Sequence, residues 1–197
     1  MNISFTSKIS FVDSRIFRKE ADSLFSGKGE VDDDVVVSKD PQFAENVRTC
    51  TAGCLVNDKN ENAFFHFYHY QRGDYWETTK ETLKNFNTTK GLIIGAKSNA
   101  DPNYPDIGKD SIKVFEEVEQ TVDQALPNVS IFKNYRYSDG STDILYNPEK
   151  DEYLISSDVD DISDLERTFK EISIAPNDEL FVNGKKISPK SYPSIFR

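Results

Sequence analysis

The stretch from Val47 to Tyr70, VRTCTAGCLVNDKNENAFFHFYHY, constrains this chain more than any other. Two apolar runs flank the polar segment DKNEN, Asp58 to Asn62, whose residue types favour a turn. The pattern predicts a β-hairpin. The same hairpin holds every cysteine and histidine of the chain: Cys50, Cys54, His66 and His69. A thiol and an imidazole on neighbouring strands are the minimum equipment of a cysteine nucleophile with its base.

Strand geometry thins this set. Residues two apart share a face, so Cys50, Ala52 and Cys54 point one way and Thr49, Thr51 and Gly53 the other. On the returning strand Phe64, His66, Tyr68 and Tyr70 share one face, and Phe65, Phe67 and His69 the opposite one. Only one histidine can therefore sit on the cysteine side. Gly53 inside an apparent strand predicts a bulge or a close backbone approach. A bulge would shift the parity beyond it and separate the two cysteines. On an extended strand their Cα atoms lie about 13 Å apart, beyond the roughly 7 Å that a disulfide bridges. Free thiols fit a reducing compartment.

Three chemical readings suit these residues. The small neighbours of Cys50, namely Thr49, Thr51, Ala52 and Gly53, leave room for a substrate. A buried cysteine also packs as a small hydrophobe without any function. A zinc site of Cys50, Cys54, His66 and His69 ranks lowest, because alternation sends its ligands apart. No cofactor and no metal is expected.

Along the rest of the chain, Ile3–Val12 reads as a strand and Ser14–Phe25 as a helix behind a Ser cap, with Ile16, Phe17, Leu24 and Phe25 at helical spacing. Asp32–Asp34 form an acidic loop running into a short VVV strand. Tyr75–Phe86 places Trp76, Thr79, Leu83 and Phe86 on one helical stripe, and Gly91–Lys97 reads as a central buried strand. Ser98–Asp110 reads as a long loop, a lid or binding segment. Ser111–Leu126 is the clearest helix, with Ile112, Phe115, Val118, Val122 and Ala125 along one face. Three strands in an antiparallel meander follow, beginning at Val129, Ser141 and Glu152. A last helix over Ile162–Ile172 and a hairpin about Asn183-Gly184 complete the reading. The expected fold is one α+β domain over 1–197. Its core is a mixed or antiparallel sheet, with two packed sheets as a variant, flanked by three to four helices.

With 24 basic and 34 acidic side chains the formal charge is −10, which repels phosphate backbones and argues against nucleic acid. No apolar run approaches the roughly 20 residues of a membrane span, and the N-terminus lacks a signal-peptide core. The expectation is a soluble cytoplasmic protein, or one exported without a classical signal peptide. Its partner or substrate is a protein, its oligomeric state open.

The run T-C-T-A-G-C-L-V-N-D, a turn, then A-F-F-H-F resembles the chemoreceptor glutamine deamidases of the CheD type. Deamidating toxins of the cytotoxic necrotizing factor kind are similar in site and fold. The resemblance implies Cys50 as nucleophile and His66 as base. The family's threonine falls near Ala44, so Thr49 or Asn46 stands in its place. The toxins' Ser-Gly-Cys signature matches Ala52-Gly53-Cys54 instead, which makes Cys54 the alternative nucleophile. The function so implied is a cysteine-dependent amidohydrolase, a protein-glutamine deamidase. The alternative is a noncatalytic protein-interaction module on a related fold, with the aromatic strands as its surface.

Overall fold

A computed structural model describes residues 7–25, 30–31, 35–69, 73–96, 105–134, 142–156 and 169–187. Along these the chain forms β1 (Lys8–Val12), α1 (Ser14–Phe25), β2 (Val35–Ser38), β3 (Gln42–Val47), β4 (Thr51–Asn57), β5 (Asn62–Phe67) and α2 (Asp74–Asn85). Then come β6 (Thr88–Ala96), α3 (Pro105–Thr121), a 3₁₀ segment (Asp123–Asn128), β7 (Val129–Asn134), β8 (Thr142–Asn147) and β9 (Glu152–Ser156). β10 (Phe169–Ser173), β11 (Glu179–Val182) and β12 (Lys185–Ile187) close the described chain.

β4 and β5 are buried at every position, which requires cover on both faces of their sheet. The strands supply it by pairing into two six-stranded sheets, ordered β12-β11-β1-β9-β8-β3 and β10-β7-β6-β4-β5-β2. Both are mixed, with β1 parallel to β9 and β11, and β6 parallel to β7. Between the sheets Cys54, Val56, Phe64, Leu92 and Ile94 meet Ile9, Phe11, Ile144, Tyr153 and Ile155. Outside the second sheet Leu55, Phe65, Phe67 and Ile93 meet Trp76 and Leu83 of α2 and Phe115 and Val118 of α3. Outside the first, Phe17 and Ala21 of α1 rest on Val12, Leu145 and Leu154. The result is an α+β architecture of four layers: helix, sheet, sheet, helices.

Several elements depart from the sequence reading, each for a local reason. Asp13, not Ser14, caps α1, because its Oδ1 accepts the Arg15 N–H at 2.8 Å. Ile16 is 53% exposed and leaves the buried stripe to Phe17 and Ala21. The expected loop Ser98–Asp110 is helical from Pro105, a residue whose fixed φ suits the first helical position. The expected helix to Leu126 stops at Thr121 and tightens into the 3₁₀ segment, which contains Pro127. The three-strand meander does not form. After α3 the chain returns to the second sheet, where β7 lies parallel to β6, and only β8 and β9 make a hairpin. Residues 169–172, assigned by sequence to the last helix, belong to strand β10, antiparallel to β7. The rest of that expected helix, like residues 3–6 of the first strand, lies outside the described residues. The Asn183-Gly184 turn joins β11 to β12 with φ of 46° and 76°, as a type I′ hairpin demands.

Candidate functional site

The β4–β5 turn is built by Asn57, whose Oδ1 accepts the Lys59 and Glu61 N–H groups at 3.0 Å each, while Asn60 takes φ 57°. From this turn the strands pair without a slip from Val56↔Asn62 back to Thr51↔Phe67. Gly53 is therefore no bulge. A Cβ there would lie 2.4 Å from the Leu92 carbonyl oxygen and 2.7 Å from Phe65 Cζ, so the glycine admits a close approach. The parity argument holds through it.

Cys50, Ala52 and Cys54 all lie in the core between the sheets. Ala52 stands directly opposite His66, and directly opposed residues share a face. The imidazole thus projects to the cysteine side, diagonal to positions 50 and 54. Diagonal Cβ atoms lie roughly 7 Å apart, within reach of an aromatic ring. His66 is 4% exposed, and the Tyr68 ring sits 5.5 Å from it, tilted by 32°.

The two thiols differ. Cys54 is fully buried in mid-strand, where burial and then the charge of Asp151 push its thiol well above the ordinary range. It is held neutral, and its Sγ lies 3.9 Å from the Leu55 carbonyl oxygen. Cys50 sits in a bend at residues 48–50, immediately before ladder pairing begins at Thr51, and is 4% exposed.

Thr49 and His69 pair with each other. Thr49 Oγ1 lies 3.4 Å from His69 Nδ1, and His69 lines a cavity of about 200 Å³ with Trp76, Glu77, Lys80 and Glu117. The four thiol and imidazole side chains are therefore split between two faces, and no group of three metal-ligating residues gathers among the described residues. Asn46, the other stand-in for the threonine, is exposed at φ 60° in an irregularity of β3, its N–H donating to Asp143 Oδ1 at 3.0 Å.

Sequence reasoning missed a second polar group at the opposite end of the inter-sheet layer. Lys90, on β6 opposite Val56, projects between the sheets, is 7% exposed and ion-pairs with Asp151. Asp178 lies beside it, hydrogen-bonded to Ser130 of β7. The available signal was a lysine directly ahead of the apolar run GLIIG.

The strand directions place Cys50 at a particular end. β4 starts beside the end of β6, since Thr51 pairs with Gly95. The Lys90–Asp151 contact puts the starts of β6 and β9 together, and β1, β11 and β7 run parallel to one or the other. The carboxyl ends of all five parallel strands thus lie at the Cys50 end, where ligand sites of α/β sheets form. Compared with models of known protein families, the chain matches none, and no curated protein matches it. No described helix is long and apolar enough to cross a membrane.

Proposed function

We propose that the chain is a cysteine-dependent amidohydrolase acting on a carboxamide, a glutamine side chain of a protein being the substrate implied by the resemblance of the hairpin to CheD-type deamidases. The observation that carries the reading is the Ala52↔His66 register, which brings the imidazole onto the face of Cys50 at the carboxyl ends of the parallel strands. Cys50 attacks the carboxamide carbon as its thiol proton passes to His66. The tetrahedral adduct collapses as His66 returns that proton to the departing nitrogen, releasing ammonia and leaving a thioester. Water, deprotonated by His66, cleaves the thioester to the carboxylate and the free thiol. Cys50 is preferred over Cys54 because the latter's sealed thiol resists ionisation. Tyr68, whose ring lies 5.5 Å from His66 at a tilt of 32°, is the positioning group in this scheme.

The test is ammonia release from glutamine-containing protein substrates by the intact chain and by Cys50→Ala, Cys54→Ala and His66→Ala. Loss with the first and third, and retention with the second, supports the assignment. An iodoacetamide-inert Cys50 in the folded protein at neutral pH, with no ammonia released, defeats it.

A second reading, a protein-interaction module without catalysis, has one observation in its favour. β2 is the edge strand of the second sheet, and its Val36 and Val37 are 40% and 48% exposed. The aromatics Phe64, Phe65 and Phe67 are core residues and offer no such surface. Val37→Lys abolishes partner capture if this reading holds, and Cys50→Ala does not.

A further inference from the structure

The Lys90 end of the inter-sheet layer has no role in the proposed chemistry, and its charges call for an account of their own. Asp151, in the β8–β9 turn, accepts the Lys90 ion pair and hydrogen bonds from Ser7 Oγ and Tyr146 OH, both at 3.2 Å. Asp178 accepts the Ser7 N–H at 3.1 Å and the Ser130 hydroxyl at 2.9 Å. Ser130 Oγ in turn accepts the Ala175 N–H at 2.9 Å. The Lys90–Asp151 and Ser130–Asp178 contacts each join one sheet to the other.

The titratable groups around the cluster come from several elements. β6 supplies Lys90 and the β8–β9 turn Asp151, Tyr153 of β9 faces Asp178, and Tyr146 of β8 and Cys54 of β4 face Asp151. Burial pushes the two phenols and the thiol upward, so all three stay neutral. One ammonium then faces two carboxylates in a half-buried space. The second carboxylate is uncompensated, and such a charge is costly.

We propose that the Lys90–Asp151–Asp178 cluster is an acid-tightened clasp between the two sheets. With Asp178 protonated, the cluster is a neutral ion pair beside a hydrogen-bonded carboxyl, because the Ser130 hydroxyl can accept as well as donate. With Asp178 ionised, an excess negative charge loosens the end of the sandwich where β1, β6, β7, β9 and β11 begin. Burial raises Asp178 from 3.8 to about 6, against the hydrogen bonds from Ser7 and Ser130 and the attraction of Lys90. The folded protein therefore holds this proton to higher pH than the unfolded chain does. The resulting stabilisation is full below about pH 4 and is lost as pH rises through about 6.

The experiment is thermal unfolding of the whole chain at pH 4.5 and pH 7.5 for the native sequence, Asp178→Asn and the exposed-acid control Asp106→Asn. The clasp requires the native Tm to fall more than that of Asp178→Asn over this interval, by about 3–6 °C. The control follows the native protein, and Asp178→Asn melts above it at pH 7.5. Equal falls in native and Asp178→Asn proteins, or a lower Tm for that variant at pH 7.5, overturn the proposal. Should the variant not fold, the carboxyl ¹³C shift of Asp178 in the native protein decides. A midpoint near 6 supports the clasp, and one near 4 removes it.

Discussion

The two ends of the inter-sheet layer are made by the same central strands yet carry opposite chemistry. β4 and β6 present Ala52 opposite Ile94 at one end and Val56 opposite Lys90 at the other. Around Cys50 a thiol, an imidazole and a phenol stand among apolar residues. Around Lys90 an ammonium, two carboxylates and two serines bind one sheet to the other. A buried charge must be matched in place, so the Lys90 end is committed to holding the sheets together. A thiol carries no such demand, because a free cysteine packs as a small hydrophobe. Mutations should therefore separate the ends: activity without stability at one, stability without activity at the other.

The largest expected effect is at the Cys50 end. Cys50→Ala should lower ammonia release by about 10³-fold or more, while the Tm changes by only about 2–4 °C. An activity loss that merely follows the fraction unfolded would erase the contrast between the ends. Next in size, Lys90→Met should destabilise the protein by roughly 3 kcal/mol at neutral pH, because it strands Asp151 and Asp178 without their cation. Denaturant unfolding measures this. A neutral result would mean that water compensates these carboxylates, and the two ends would then be energetically alike.

Between the ends, Gly53→Ala tests the close approach that keeps the hairpin in register. Its Cβ meets the Leu92 carbonyl and the Phe65 ring, both under 3 Å, so β4 has to move. The expected cost is about 1–3 kcal/mol. Because that shift displaces Ala52 from His66, activity should fall further than stability alone explains. Parallel losses in the two assays would show that the register at this point does not matter to the site.

The hairpin, its turn and the rule that only one histidine can share the cysteine face were legible in the sequence because period-two alternation is strict and local, whereas the choice of His66 depends on the strand register. The helical stripe of Trp76, Thr79, Leu83 and Phe86 was legible for the same kind of reason, and all four are buried. What escaped depends on long-range pairing. β3 carries an irregularity between Ala44 and Val47, which breaks its alternation. β7 has the pattern of a meander strand, and only the α3 crossover sends it parallel to β6. The clasp escaped most completely. Ser7, Lys90, Ser130, Asp151 and Asp178 are scattered along the chain, and each alone reads as an ordinary turn or edge residue.

The smallest expected effect concerns Thr49, the residue directly before Cys50. Its hydroxyl is 3.4 Å from His69 Nδ1, and His69 lines the cavity between α2 and α3. Thr49→Val keeps the shape and removes this one contact. A half-buried hydrogen bond of this length contributes about 0.5–1 kcal/mol, so the Tm should drop by no more than a few degrees. Ammonia release should change by less than about threefold if Thr49 acts only through His69, since less than 1 kcal/mol is then at stake. A loss matching that of Cys50→Ala would mean that the Thr49 hydroxyl turns toward the thiol during turnover. The reactive group would then span both faces of the second sheet, and the division drawn between Cys50–His66 and Thr49–His69 would fall.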